Sequence, residues 1–338
     1  MTAPHHVVIG CFTVDNVIGA GRDRRAGIPG GNVLWAAVGA HMWDPRVGLV
    51  GRAGNNFPSA ALEALSGAGF DLAGVTRIQS PGLRVAFAYQ TDGSRTRQVP
   101  EATLGAIPES ERGLFVDNTS DRDLHHRFAP SPSDLPPDWR PFARGWHIPA
   151  LPAIETRELV QALSGDRQHG QWLTADGPSD YALRDQAWTE ADYLAGLDVV
   201  LPSEDDLGIA PGSLAGVAGW FGVLSGAGSR AVVLKRGAFG SIVFGGAGRV
   251  WRVPAFPSPA SDPTGAGDSF CGGFLVGLAE TSDPVRAAVY GTAAASFAVD
   301  APSALDCLQI TREDVELRAR EVSIGVEEIL LPEALDRG

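Results

Sequence analysis

Short β-branched runs alternate along this chain with stretches rich in Ala, Leu and Gly. The runs predict strands and the stretches predict helices. The predicted strands are Val7 to Phe12, Val47 to Val50, Gly145 to Ile148, Gln171 to Ala175, Val199 to Leu201 and Ala231 to Lys235. The predicted helices are Asn32 to Met42, Ser59 to Ala68, Glu155 to Leu163 and Pro284 to Val299. This alternation is typical of βα units, so we expect an α/β fold with a doubly wound, mainly parallel sheet flanked by helices.

Two segments break this rhythm and predict a small antiparallel β lid inserted in the domain. Residues 84–99 alternate in polarity, turn at Thr91 to Ser94 and alternate again, as a β-hairpin does. Residues 14–28 are mixed in character, and we assign them to the same lid. Because an open sheet edge invites aggregation unless it is paired, we expect a homodimer joined through this lid.

Residues 110–142 predict a long irregular loop. The segment is rich in Pro, Asp and Arg, and its prolines block regular structure at Pro130, Pro132, Pro136, Pro137 and Pro141. No internal repeat is visible. With 338 residues, of which 44% are apolar, the chain can bury one large core or two smaller ones.

The net charge and the cysteines narrow the class of protein. The chain has 27 basic and 40 acidic residues, a formal charge of −13, so neither nucleic acid nor an anionic membrane is expected as its main partner. No apolar stretch approaches the roughly 20 residues of a membrane helix, and no basic leader precedes Val7, which predicts a cytoplasmic protein. Cys11, Cys271 and Cys307 are scattered and predict neither a disulfide framework nor a zinc site.

The segment Asp262 to Phe270 places a glycine-rich turn and a carboxylate directly ahead of a helix-like apolar run. The spacing predicts that a helix begins at about Ala266 to Asp268. The first N–H groups of a helix lack internal acceptors and lie at the positive end of its dipole, so they stabilise phosphate oxygens or a developing anion. Asp268 would accept a proton from a hydroxyl that attacks phosphorus. A helix cap with no further role is the alternative interpretation.

Two other chemistries do not fit the sequence. A Walker-type phosphate loop needs Gly-Lys-Ser/Thr, whereas the only lysine of the chain, Lys235, follows Leu234. The turn from Gly267 to Cys271 falls one residue short of a G-x-S-x-G nucleophile elbow and does not follow a strand end, which argues against a serine hydrolase.

The order of motifs from about Val7 to Ala304 resembles that of the ribokinase-like (PfkB) family of carbohydrate and nucleoside kinases. Asp262 to Asp268 is similar to the family's D-[TP]-T-G-A-G-D signature. Gly30-Gly31-Asn32, ahead of a predicted helix, resembles its G-G-N signature, and Val47 to Asn56 resembles the V-G-x-V-G-x-x-G-x-D sequel.

Three further positions carry the resemblance. Asp15 falls where the family keeps a substrate-binding aspartate, and Asp176 is similar to the D-P-N/R position at a strand end. Val233 to Gly240 is similar to the V-[TK]-x-G-x-x-G nucleotide strand. The family implies one α/β domain with a lid that often mediates dimers. We therefore assign residues 1–338 to a single kinase domain.

The resemblance implies ATP, Mg²⁺ and a small sugar-like substrate, and it suggests roles for individual residues. The catalytic group comprises Asp268 as general base with Gly265, Ala266 and Gly267 as the anion hole. Substrate binding falls to Asp15, Gly30, Gly31, Asn32 and Trp35. Nucleotide binding falls to Lys235, Gly237, Gly240, Thr264, Gly265 and Gly267. Asp206 would hold Mg²⁺ through water, and Asp262 and Thr264 would bind a monovalent cation such as K⁺.

Three positions depart from the family pattern. Trp35 stands in the first signature where the family usually reads G-G-x-x-x-N, and it is far larger than an asparagine amide. The N-x-x-E motif is replaced by Ser203-Glu204-Asp205-Asp206, in which the carboxylate of Asp206 reaches less far than that of a glutamate. Asn56 replaces an expected aspartate.

We therefore expect an ATP-dependent kinase that phosphorylates a primary hydroxyl of a sugar or sugar-like alcohol. One alternative is a nucleoside kinase of the same fold, in which Trp35 would form part of a slot for the base. The other is a catalytically weak regulator that binds a sugar or nucleotide, which the altered magnesium motif would favour. The intact turn from Gly265 to Asp268 argues against the regulator.

Overall fold

The computed structural model describes residues 3–19, 23–89, 95–96, 99–165, 167–179, 195–225, 229–245, 248–258 and 264–332. The strands are β1 (His6–Ile9), β2 (Thr13–Ile18), β3 (Arg24–Gly30), β4 (Val47–Gly54), β5 (Asp71–Ile78), β6 (Leu83–Tyr89), β7 (Arg95–Thr96), β8 (Gly145–Ile148), β9 (Trp172–Ala175), β10 (Val199–Val200), β11 (Ala231–Lys235), β12 (Ser241–Phe244), β13 (Val250–Val253) and β14 (Glu327–Ile329). The helices are α1 (Asn32–His41), α2 (Ser59–Gly67), α3 (Glu101–Gly105), α4 (Glu109–Arg112), α5 (Arg122–Phe128), α6 (Ala153–Ser164), α7 (Leu214–Ser225), α8 (Ala266–Thr281), α9 (Pro284–Asp300) and α10 (Arg312–Ile324). None of these described helices is long and apolar enough to cross a membrane.

Within the described residues, the larger sheet has the strand order β14-β13-β12-β11-β10-β9-β8-β1-β4-β5. The strands from β11 to β5 in that order run parallel to their neighbours, and β12, β13 and β14 add an antiparallel edge. The predicted strands all fall in the parallel part, and the predicted helices are α1, α2, α6 and α9. The predicted α/β fold with a mainly parallel sheet is therefore confirmed.

Helices cover both faces of this sheet. Successive side chains of a strand point to opposite faces, so each strand contributes to two apolar layers. On β1, Val8 packs with apolar residues of α1, α8 and α9, whereas Val7 and Ile9 pack with residues of α6 and α7. The carboxyl ends of the parallel strands are left at one edge of this three-layer structure.

Helices α1 and α8 pack unusually closely because small residues lie at their contact. A Cβ atom on Gly39 would lie 2.2 Å from the carbonyl oxygen of Ser269, and one on Gly272 would lie 1.8 Å from that of Ala36. The hydroxyl of Ser269 also donates a hydrogen bond of 3.0 Å to the carbonyl oxygen of Trp35. This packing fixes the first turn of α8 against the first turn of α1.

The predicted lid is confirmed as a second, small sheet in which the described strands follow the order β3-β2-β6-β7. The outer pairs, β2 with β3 and β6 with β7, are antiparallel, and the central pair, β2 with β6, is parallel. A small apolar cluster, formed by Ile18, Ala88, Ile107 and Phe115, packs against it. The predicted turn at Thr91 to Ser94 lies outside the described residues.

The segment 110–142 differs from the irregular loop that its prolines predict. It contains α5, which Asp121 caps by accepting a hydrogen bond of 3.0 Å from the N–H of Leu124. Two short 3₁₀ turns begin at Pro132 and Pro137. Proline is compatible with the first position of a helical turn, because its ring fixes a suitable φ and the missing N–H would have no partner there.

Candidate active site

The glycine-rich turn lies at the N-terminus of α8, as predicted. Gly265 precedes the helix with φ of +77°, a left-handed conformation that favours glycine, and its carbonyl oxygen accepts a hydrogen bond from Ser269. Gly267 is exposed and Asp268 is half-buried in the first turn. The turn therefore presents backbone donors, the positive end of a helix dipole and one carboxylate at the same place. Asp262, which begins the motif, lies outside the described residues.

A lysine from the sheet lies directly beside this turn. Lys235 is the last residue of β11, and its Nζ donates hydrogen bonds to Asp176 Oδ2 at 2.5 Å and to Cys271 Sγ at 3.5 Å. A Cβ atom on Gly267 would lie 3.8 Å from the same Nζ, within ordinary van der Waals contact. Asp176 follows β9, so two strand ends meet the first turns of α8, at the edge where open α/β sheets bind ligands.

Burial and electrostatic attraction set the protonation states of Lys235, Asp176 and Cys271. Burial lowers the pKa of Lys235, but the surrounding negative charges, among them those of Asp176 and Asp206, and the hydrogen bond to Asp176 together outweigh burial, so the pKa is raised and the ammonium stays charged. Burial raises the pKa of Asp176 against the opposing attraction of Lys235. Burial also raises the pKa of the Cys271 thiol well above its usual range, so this sulfur is a neutral partner and a poor nucleophile.

The altered N-x-x-E segment forms a tight turn at the same edge. Asp206 Oδ2 accepts hydrogen bonds from the N–H of Ser203 at 2.8 Å and from its hydroxyl at 2.6 Å. Ser203 pairs with Lys235 as a parallel bridge, and the charge of Asp206 acts on both Lys235 and Asp176. Glu204 instead points to a buried ion pair, where it accepts from Arg236 Nε at 2.7 Å. Asp206 is thus the carboxylate of this turn that lies on the side of Lys235.

A pocket opens between the lid and Thr264, which lies just before α8. It is lined by residues from β2, β3 and β6, from α1, from the turn and from the loop after α9, among them Asp15, Arg25, Trp35, Phe87, Thr264 and Ser303. The pocket therefore joins the predicted acceptor residues Asp15 and Trp35 to the predicted phosphate turn. Arg25 and Phe87 were not predicted as site residues, because their positions in the lid depend on strand pairing that a sequence does not show.

The two glycines of the G-G-N segment pack closely against Asp15 and against the backbone between β1 and β2. A Cβ atom on Gly30 would lie 2.3 Å from Asp15 Oδ2, so the carboxylate packs directly against the glycine backbone. Asp15 Oδ1 accepts a hydrogen bond of 2.6 Å from the hydroxyl of Thr13. Gly31 has φ of +108°, and a Cβ atom there would lie 2.2 Å from the carbonyl oxygen of Cys11. Both glycines of the G-G-N segment are thus required by close contacts.

Asn32 has a clear structural role. Its Oδ1 accepts a hydrogen bond of 2.8 Å from the N–H of Cys11, and its Nδ2 donates one of 2.7 Å to the carbonyl oxygen of Ala150. The amide therefore ties the loop after β1 to the loop after β8. Contact between Asn32 and the acceptor stays a prediction.

Trp35 lies between the pocket and the phosphate turn. It is 6% exposed, it lines the pocket, and its ring covers Gly265 so closely that a Cβ atom there would lie 2.1 Å from Cδ2. Trp35 is therefore a largely buried side chain that also forms part of the pocket wall.

The predicted nucleotide glycines follow Lys235 in a 3₁₀ turn, Gly237–Phe239. Gly237 and Gly240 both have positive φ, 53° and 79°. A Cβ atom on Gly240 would lie 2.1 Å from the carbonyl oxygen of Val253, so this glycine lets the turn pack on the end of β13. Among the described residues, no cluster of three His, Cys, Asp or Glu side chains forms a metal site.

Comparison with known proteins agrees with this arrangement. Residues 167–311 match the model of the pfkB family carbohydrate kinases. The chain is 29% identical over 279 residues to a cytidine kinase of Thermococcus kodakarensis, a match that covers 80% of this chain and 87% of that protein. It is 35% identical over 94 residues to a 5-dehydro-2-deoxygluconokinase of Bacillus velezensis, which is 28% of each chain.

The fold is also similar to that of solved kinases. The structure of Arabidopsis thaliana ribokinase complexed with ribose and ATP superposes with a TM-score of 0.65 at 20% identity, covering 94% of this chain and 99% of that one. A putative ribokinase II from E. coli, solved in complex with ATP and Mg²⁺, superposes with a TM-score of 0.67 at 19% identity, covering 94% of this chain and 99% of that one. The order of motifs, the match of residues 167–311 to the pfkB family model and the named kinase relatives together support a carbohydrate kinase, a phosphotransferase, with the ribokinase fold.

Proposed function

We propose that this protein transfers the γ-phosphoryl group of ATP to a hydroxyl of a sugar-like small molecule. One observation carries the proposal. The first turn of α8 contacts the pocket through Trp35, which covers Gly265, and it contacts the charged strand edge through Lys235, which lies beside Gly267. A donor phosphate and an acceptor hydroxyl can therefore meet at a single turn, next to Asp268.

The chemistry of phosphoryl transfer matches what this turn offers. The reaction asks a protein mainly for in-line positioning and for stabilisation of charge on the transferring group. The N–H groups of residues 265–267 and the dipole of α8 supply that stabilisation, since they lie where negative charge develops. Asp268 accepts the proton of the attacking hydroxyl as the new oxygen–phosphorus bond forms, and ADP leaves with the electrons of the broken bond.

The strand edge is suited to bind a hydrated Mg²⁺ through few protein ligands, and its described residues do not form a site in which protein groups surround the ion. Mg²⁺ usually binds through one or two carboxylates together with the phosphates of the substrate and keeps several waters. Asp206, whose Oδ2 is held by Ser203, is the residue that would contact the hydrated ion. When bound, Mg²⁺ would neutralise charge on the phosphates. A monovalent cation at Thr264 and Asp262 stays a prediction.

The pocket favours a polyol near the reacting end. The carboxylate of Asp15 can accept hydrogen bonds from two hydroxyls, and the indole of Trp35 offers an apolar wall against the carbons of a sugar ring. A nucleoside is the second candidate acceptor. It is favoured by the second aromatic side chain of the pocket, Phe87, and by the similarity to a cytidine kinase over 80% of this chain.

The lid supports a proposal about assembly. The edge strand β3 exposes residues 24–27, so its backbone can pair with another strand. We expect a homodimer joined through this edge, measured as a dimer by sedimentation at micromolar concentration. A monomer would contradict it.

A coupled assay of ADP release tests the function. The purified protein is supplied with ATP, Mg²⁺ and, in turn, sugars, sugar acids, polyols and nucleosides, and the product is identified by its mass. We expect acceptor-dependent ADP release with at least one class, and release with nucleosides alone would favour the second candidate. ADP release that no acceptor increases would contradict the proposal.

A further inference from the structure

We propose that Asp176 is a positioning residue: it holds the ammonium group of Lys235 beside the first turn of α8 until the phosphates of ATP bind this ammonium in its place. The inference rests on the proposed function, because it concerns the same phosphate turn. It assigns to Lys235 a direct contact with the nucleotide phosphates and to Asp176 an action through Lys235.

The geometry places one cation among three elements. Lys235 Nζ lies 2.5 Å from Asp176 Oδ2 and 3.5 Å from Cys271 Sγ, and 3.8 Å from the position of a Cβ on Gly267. The side chain of Lys235 is 11% exposed and that of Asp176 is 7% exposed. The ion pair is therefore largely removed from water, but Lys235 lies beside Gly267, which is exposed on the surface.

A cation at this place requires a counter-charge. The N-terminus of a helix carries positive partial charge, so an ammonium beside the first turn of α8 is repelled by the dipole. A largely buried charge also needs a partner to offset the loss of water. Asp176 supplies that partner, and Cys271 adds a neutral contact.

A phosphate satisfies both groups at once. Its oxygens can accept from the backbone donors of the turn and from the ammonium, which has three hydrogens on a flexible four-carbon stem. The negative phosphate also removes the repulsion between Lys235 and the helix dipole. A compact ammonium can approach the backbone of this turn with little displacement of its neighbours, whereas the planar guanidinium of arginine is wider.

A neighbouring ion pair shows what a purely structural role looks like. Arg236 and Glu204 are 4% and 8% exposed, and the Glu204 carboxylate also accepts from the N–H of Gly212 at 3.1 Å. This pair fixes the loop after β10. The pair of Lys235 and Asp176, by contrast, touches the turn that would bind phosphate.

The lysine itself is the best probe, because it is the only one in the chain. Protein labelled with ¹³C at lysine Cε gives a single side-chain signal from Lys235. We expect this signal to shift when Mg²⁺ and a non-hydrolysable ATP analogue are added to the wild-type protein, and to stay in place with adenosine. An unmoved signal at a concentration where calorimetry shows that the analogue is bound would overturn the inference and leave the proposed function standing.

Variants separate positioning from simple stabilisation. We expect Asp176→Asn to lower kcat at least about tenfold without raising KM for ATP. The variant removes the carboxylate that competes with phosphate for Lys235, but it also removes the group that orients the lysine. Lys235→Met should raise KM for ATP at least about tenfold. The control Asp134→Asn removes the carboxylate that Arg52 Nη2 contacts at 2.7 Å outside the site, and it should change neither constant.

The outcomes distinguish the two claims. A lower melting temperature for Asp176→Asn with unchanged kcat and KM would show that the pair is only structural. A shift of the lysine signal with the analogue, in a protein that phosphorylates no acceptor, would support the inference and contradict the proposed function. A protein that binds neither ATP nor its analogue would contradict both.

Discussion

The indole of Trp35 lies flat against the backbone of Gly265, so closely that a Cβ atom at Gly265 would be 2.1 Å from Cδ2. This contact joins the wall of the acceptor pocket to the residue that precedes α8. The left-handed conformation of Gly265 and the ring that covers it thus define the start of the phosphate turn together. The acceptor pocket and the phosphate turn therefore share this contact.

The first prediction concerns Trp35. Trp35→Phe should change the relative kcat/KM values across a panel of acceptors while the affinity for ATP stays the same, because the ring lines the acceptor pocket. It should also cost about 1–3 kcal/mol of stability, as large-to-small changes in a core do. The control Trp43→Phe shrinks another buried tryptophan outside the pocket and should lower stability alone. Equal acceptor preferences in both variants would assign Trp35 to the core only.

The second prediction compares two glycines of one turn. Gly265→Ala should destabilise the protein by at least about 1–2 kcal/mol, because alanine disfavours φ of +77° and its Cβ would collide with Trp35. Gly267→Val should leave the melting temperature nearly unchanged and impair turnover, since this position is exposed and a side chain would obstruct phosphate. Thermal melts and ATP titrations measure both effects. Normal ATP binding and turnover by Gly267→Val would place the phosphate site elsewhere.

The third prediction tests the contact between Gly30 and the carboxylate of Asp15. Gly30→Ala should displace the carboxylate of Asp15 and raise KM for the acceptor at least severalfold, with KM for ATP unchanged. The control Gly67→Ala lies at the end of α2, where no described atom lies within 4 Å of the added Cβ. An unchanged acceptor KM in Gly30→Ala would remove Asp15 from substrate binding.

The main fold could be predicted from the sequence because its signals are local. The β-branched runs at residues 47–50 and 231–235 and the helical stretch at 284–299 are each visible within one short window. The start of α8 could likewise be predicted from the closely spaced glycines Gly265 and Gly267. By contrast, β14 gives no apolar signal, since Glu327 and Glu328 pair with arginines of the β13 region rather than with a core.

The site was predicted only in part, because its decisive contacts join distant residues. The family motif marks Asp176 and Lys235 separately, but nothing in the sequence shows that they form an ion pair of 2.5 Å. The contact of Trp35 with Gly265 likewise depends on the close packing of α1 and α8. Asn32 shows the opposite case, in which a motif residue has its amide bonded to the backbone.

The fourth prediction concerns pH and His147. Burial, with a further contribution from the charge of Lys235, lowers the pKa of His147 to about 3. Its pKa in the unfolded chain is about 6.5, so between these values the unfolded state binds more protons, and stability falls as the pH drops from about 6.5 towards 3. His147→Gln should make stability less dependent on pH in this window, as measured by urea unfolding. The NMR signal of His147 is identified as the one that His147→Gln lacks. If this signal titrates near pH 6.5 in the folded protein, the assignment is contradicted.

The most direct test of the central claim is the turnover of Asp268→Asn with an identified acceptor. The amide keeps the shape of the side chain but cannot accept the proton, so we expect kcat to fall at least about 10²-fold while nucleotide affinity changes little. Asp138→Asn, a carboxylate outside the site, should retain full turnover. Turnover by Asp268→Asn that is comparable to that of the wild-type protein would contradict the account.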